Sequence, residues 1–239
     1  MRRDGASYKL GPRNNYVLED SVTDHFLDQI DDIIRKRSLL KHPFYQAWSN
    51  GSLPIASLER YASQYYHFEL AYPTFLSGLH HRCSDRGIRL LLLDNLWDEE
   101  HGEQNHVELW LRFCEGLGID RNEVQASPQA EETAALVSTY RELTSVAPVA
   151  AGAAALYAYE SQVPEVAAAK LQGLREFYGF EDDRSVSFFS VHKTLDEKHS
   201  QAERDMVRTL ASTPEDQETV NQAVDRATEA LWRFLDGVY

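Results

Sequence analysis

The segment at residues 147–170, APVAAGAAALYAYESQVPEVAAAK, constrains the fold more than any other stretch of this chain. Alanine is the strongest helix former and loses no side-chain entropy in a helix. Small side chains also let neighbouring backbones approach closely. The segment therefore reads as the tightly packed central helix of a bundle. Strand signals are nearly absent elsewhere, and helical periodicity runs through most of the sequence. The expectation is a single all-α domain, a bundle of roughly seven or eight helices.

Helix starts and stops follow from local signals. A first helix is expected over 17–39, with Ser21 and Asp24 as a variant capping box. HPFYQAWSNGSLP, residues 42–54, reads as a short helix and a turn stopped by Gly51 and Pro54. A long helix follows at 56–85, with Ser57 as N-cap and a kink at Pro73. The next covers 87–116 and ends on the glycines of EGLG. SPQAEE and TPEDQE each place a hydroxyl residue before proline and acids, the pattern of a helix start. Helices over 129–144, 148–178, 184–211 and 214–237 complete the bundle. Residues 1–16 read as a flexible arm ahead of a domain at 17–239. That arm has basic residues but no apolar run of an export signal.

Charge and cysteine content exclude several classes of function. The formal charge is −14. So acidic a surface repels phosphate backbones and anionic lipid, which argues against nucleic-acid and membrane partners. The two cysteines, Cys83 and Cys114, make no disulfide framework, and a reducing cytoplasm fits best. Neither has an activating sequence context, so both read as packed thiols.

Three segments carry candidate ligands. In VHKTLDEKHS, His192, Asp196 and His199 fall within an arc of roughly 60° on a helix. In LWDEEHGEQNHVELW, Glu99 and His106 share a stripe, whereas Glu100 and His101 point elsewhere. Glu160 lies within the alanine-rich helix, where a carboxylate is costly unless paired or bound to a cation. On spacing alone the stripes fit two readings, solvated polar faces or a ligand set. Residues seven apart on one helix are separated by about 10.5 Å along its axis, a long reach for one ion. Two ions about 3.5–4 Å apart ease it. Carboxylates with imidazoles suit iron or manganese better than a structural zinc.

The order of these motifs resembles the haem-oxygenase-like diiron oxidases. HPFYQAW, YASQYYHFE, NHVELWLRF and YAYESQVPEVAAAK are similar to the CADD-like branch, named for a chlamydial protein associating with death domains. The resemblance covers about residues 20–235. It implies a helical haem-oxygenase-like fold and a dimetal centre, Fe/Fe or Mn/Fe, that uses O2 and an external reductant. The implied ligands are Glu99, His106, Glu160, His192, Asp196 and His199. The implied activity is para-aminobenzoate formation for folate synthesis from the protein's own chain. Tyr45 would give the ring, Lys170 the amino group, and Tyr61 would relay a radical. By the same resemblance the protein is a homodimer with an unknown electron donor, and death-domain binding rests on the family name only.

The residues support part of this. Among six lysines, Lys170 alone follows an alanine run on a buried helix. Desolvation would lower its pKa and make it a competent amine, although a lysine at a helix end also snorkels to water. Glu160 and Lys170 are ten residues apart, roughly 15 Å on an ideal helix, so a kink at Pro164 is expected to shorten that gap. Tyr45 is one of 12 tyrosines, and nothing local marks it as reactive. Tyr159 and Trp110 read as site walls or electron relays, and His42 as structural. Competing readings are a diiron oxidase with an external substrate and a metal-free protein like the thiamin-degrading or pyrroloquinoline-quinone-forming enzymes of this fold.

Overall fold

In the computed structural model the backbone is described for residues 14–239, and side chains from residue 25 onward except those of 193–198. The arm expected at 1–16 thus lies mostly outside the described residues. The described chain is all-α. It runs α1 (Asn14–Lys36), a 3-10 turn (Leu39–Lys41), α2 (Pro43–Ser49), α3 (Ile55–Arg82), α4 (Arg86–Glu100) and α5 (His106–Gly116). It continues with α6 (Arg121–Ala126), α7 (Glu131–Ser145), α8 (Val149–Glu160), α9 (Val163–Phe177), α10 (Ser187–Leu210) and α11 (Pro214–Val238). No described helix is long and apolar enough to cross a membrane.

The alanine-rich segment is the centre of the bundle. Every residue of α8 from Ala150 to Glu160 is buried, and α7, α10 and α11 pack around it. Gly152 shows why small residues are needed: an added Cβ would lie 2.6 Å from the Leu79 side chain and 3.1 Å from the Leu143 carbonyl oxygen. Gly173 on α9 does the same against α2, where a Cβ would meet Trp48 at 2.6 Å. The Trp48 indole N–H donates to the Lys170 carbonyl across that contact at 3.2 Å. This close approach sets α2, which carries Tyr45, against the helix that carries Lys170.

There are more helices than the roughly seven or eight expected, because two long segments are broken and a short helix, α6, falls in a stretch where none was expected. The segment read as one helix over 87–116 stops after Glu100 and restarts at His106. Gly102 takes a positive φ of 84° in the gap, and Asn105 caps α5 by accepting from the Glu108 N–H at 3.0 Å. Its apolar periodicity continues in phase across the break, which hid it. The segment read as one helix over 148–178 breaks at Ser161 and Gln162. Pro164 therefore does not kink a helix; it sits in the first turn of α9, where its missing N–H costs nothing.

Smaller differences concern the caps. Ser57 does not cap α3, which starts at Ile55 after Pro54; its hydroxyl donates to the Tyr239 carbonyl instead. α3 continues through Pro73 as one helix. α1 begins at Asn14, which puts Ser21 and Asp24 inside it rather than at its start. α7 begins at Glu131 rather than residue 129. Thr213 and Asp216 do form a reciprocal capping box with Pro214 in the first turn of α11. Gly118, with φ of 83°, follows the end of α5 as its glycine signal suggested. His42 is structural, as expected: its ring nitrogen caps α2 by accepting from the Phe44 N–H at 3.0 Å.

Candidate functional site

The breaks bring the candidate ligands together. Glu99 is at the end of α4 and His106 at the start of α5, so they no longer share one helix axis. Glu99 Oε2 lies 2.8 Å from His106 Nδ1, out of hydrogen-bond geometry. The 10.5 Å separation of an unbroken helix thus disappears. Glu160 ends α8, and its Oε2 lies 3.8 Å from His199 Nδ1 on α10. The imidazoles of His106 and His192 have centroids 4.3 Å apart. Five of the six expected ligands therefore converge, each at most 6% exposed. The Asp196 side chain lies outside the described residues.

Neighbouring groups orient these donors. His192 Nδ1 is 2.7 Å from the Phe188 carbonyl, to which it donates, so the lone pair is on Nε2. His199 Nε2 is 3.1 Å from Asp98 Oδ2, an N–H donation that turns Nδ1 toward Glu160. Glu160 Oε1 accepts from the Asn95 amide at 2.7 Å and from the Tyr72 hydroxyl. Its other oxygen is buried without a hydrogen bond. Histidines tied back through their second nitrogen and carboxylates with one anchored oxygen are the arrangement of a metal centre. Burial pushes the Glu160 carboxyl up and, aided by His106, holds His192 well below the usual imidazole range. A cation would offset both effects. The donor set fits iron or manganese.

Sequence reasoning missed Glu69. It lies on α3, 2% exposed, and its carboxylate is within 4.8 Å of the donor atoms of His106 and His192. The available signal was a lone acid in the aromatic run YYHFE, which reads as a surface position unless α3 is known to be buried. Burial and the nearby Glu99 charge push its carboxyl up, opposed by His106 and Lys170.

Beside the ligand cluster is an apolar cavity of about 30 Å³, lined by Tyr45, Tyr61, Tyr65, Lys170, Phe189 and Phe234 among others. Here the expected Tyr45, Tyr61 and Lys170 meet. Lys170 Nζ donates to the Tyr61 hydroxyl at 2.5 Å, and the Tyr45 and Tyr61 hydroxyls are 3.4 Å apart. Nζ lies 5.5 Å from the Tyr45 ring centroid. Lys170 does not snorkel; it is 4% exposed, and burial lowers its pKa to about 7 against the opposing pull of Glu69. Burial also raises the Tyr45 and Tyr61 phenols, so both keep their protons. Tyr159 lines the cavity and bonds Tyr65; Trp110 packs behind Tyr65 with ring centroids 4.5 Å apart, and its indole N–H donates to the Ala62 carbonyl at 2.8 Å. Cys114 is buried with its thiol pushed up to about 12, which leaves it unreactive.

Comparison with known proteins adds to this geometry. Residues 59–232 match the family model described as iron-containing redox enzyme. A 4-aminobenzoate synthase of Nitrosomonas europaea is 47% identical over 227 residues, covering 91% of this chain and 92% of that protein. One of Chlamydia trachomatis is 40% identical, covering 89% and 91%. Among solved structures, a TenA homologue of Pseudomonas syringae pv. tomato superposes with a TM-score of 0.76 at 17% identity over 98% of this chain and 99% of that one. That likeness is one of fold.

Proposed function

The chain belongs to the iron-containing redox enzymes, and on that premise we propose that it forms para-aminobenzoate from its own Tyr45 and Lys170. The centre is dinuclear, two irons or one manganese and one iron, held by Glu99, His106, Glu160, His192, Asp196 and His199. When bound and reduced, such a centre supplies the electrons that turn dioxygen into an oxidant. The names of the relatives, 4-aminobenzoate synthases at 38–47% identity, support the product.

The observation that carries the self-consuming reading is the cavity. At about 30 Å³ it has room for a water or a diatomic gas. An aromatic ring needs a cavity nearer about 150 Å³. The ring and the nitrogen are already in its wall. The ring and Cβ of Tyr45 have the carbon skeleton of the product, and Lys170 presents an amine near the ring's hydroxyl end. Desolvation lowers the amine's pKa to about 7, so a large neutral fraction with an available lone pair exists near that pH. Oxidation of a phenol releases its proton, and the Tyr45–Tyr61–Lys170 contacts give that proton a route. Phe44 and Trp48 pack on the Tyr45 ring, which is buried from bulk water.

The test is a product assay without any added aromatic compound. Protein loaded with ferrous iron under argon, reduced and then exposed to air, should yield at most about one para-aminobenzoate per chain, as a consumed residue dictates. Tyr45→Phe and Lys170→Arg should yield none. Parent-level product from both variants, or yield rising in proportion to an added aromatic substrate, contradicts the proposal.

A further inference from the structure

Glu69 has no place in the six-residue ligand set, yet it is built into the same site. Tyr61, Tyr65 and Glu69 are spaced four apart on α3, so they share its inward face. Pro73, four residues further on, lacks the N–H that would otherwise bond the Glu69 carbonyl. Neighbouring positions of that face are aromatic. A carboxylate 2% exposed among them is costly unless something positive compensates it.

What it faces identifies the compensation. Among the described residues, Glu69, His106 and His192 are the group of three whose donor atoms all lie within 4.8 Å of one another. An ion bonded at about 2.1 Å spans donors up to about 4.2 Å apart. Shifts of a few tenths of an ångström would close the three on one ion. Glu99 is near enough for its charge to act on Glu69, and Glu69 in turn acts on Lys170. Glu69 is thus flanked by the ligand cluster on one side and the amine on the other. The remaining ligands come from α4, α5, α8 and α10. α3 would otherwise contribute no donor, although it lines the cavity.

We propose that Glu69 is a further ligand of the metal centre, binding a ferrous or manganous ion together with His106 and His192 on the side that faces Lys170. This rests on the dimetal reading above and extends it by one donor. The competing role for Glu69 is that of a simple counter-charge for Lys170.

Ferrous and manganous ions themselves are the probes, with binding measured by chelator competition and metal analysis on the full chain. Glu69→Gln keeps the shape and removes the charge. It should weaken binding of one ion by at least about tenfold, and the double variant Glu69→Gln/Lys170→Met should show the same deficit. Glu69→Asp, one methylene shorter, should fall between, and it serves if Glu69→Gln unfolds by circular dichroism. Parent-like binding by the variants, or binding restored in the double variant, overturns the proposal and leaves the counter-charge role. His192→Ala separates the levels. If it loses metal while Glu69→Gln does not, only this inference fails. If the parent binds no metal, both readings fail.

Discussion

The carboxylate–imidazole cluster and the tyrosine–lysine cavity are adjacent and comparably buried, but their burial is compensated differently. In the cluster, three polar groups are anchored on one side: Glu160 by Asn95 and Tyr72, His192 by the Phe188 carbonyl, and His199 by Asp98. Its remaining donor atoms converge on a common space. In the cavity, five aromatic rings lie within 5.8 Å of Lys170 Nζ, but loss of water outweighs their attraction for a cation and lowers the amine's pKa to about 7. The contrast is between convergent donors that would suit a cation and an enclosure that disfavours a charged amine. On the reading proposed above, a metal ion sits on one side of Glu69 and a neutral amine on the other.

Removing a donor should break the first half outright. His192→Ala is expected to lower the metal content from about two ions per chain to below about one, read by metal analysis after loading with ferrous iron. Separating α2 from α9 should break the second half. Gly173→Ala forces a Cβ against Trp48. It should cost about 1–3 kcal/mol by urea unfolding and reduce product while leaving metal content as in the parent. Equal loss of metal in that variant would deny that the halves are separable.

Much of the fold was legible because alanine-rich and amphipathic helices announce themselves by composition and period. The helix breaks were less so. Gly102 and Asn105 were visible as turn residues, but the apolar phase on either side of them matched. Their loss matters, since the sequence argument placed Glu99 and His106 on one stripe, while the structure unites them across a corner. Lys170 was only partly legible: the alanines before it marked a buried helix, but a lysine at a helix end also snorkels, and its burial is settled by packing. Glu69 was not, because burial of α3 on that face is a property of packing. Tyr45 and Tyr61 were legible only through the family resemblance; their hydroxyl contacts are tertiary.

Two smaller effects sharpen the contrast. Asp98→Asn weakens the acceptor for His199 and should reduce metal affinity about tenfold, with product per bound metal unchanged. The second is a pH dependence from Lys170. Its folded pKa of about 7 lies below the usual lysine value, so folding releases a proton between those two pH values. The destabilisation is fully present below about pH 7 and fades as pH rises toward the usual value. Lys170→Met should therefore raise Tm more at pH 6 than at pH 9. Product formation by the parent should rise about tenfold from pH 6 to pH 8 as the amine becomes neutral. A parent profile flat across that range would contradict a neutral amine in the reaction.

The most direct measurement follows the atoms. Protein grown with ring-carbon-13 tyrosine and ε-nitrogen-15 lysine is loaded with ferrous iron, reduced and oxidised in unlabelled buffer, and the product is weighed by mass spectrometry. The account predicts para-aminobenzoate carrying both labels, with peptide mass changes confined to Tyr45 and Lys170. Unlabelled product, or intact Tyr45 and Lys170 after product has formed, would contradict it.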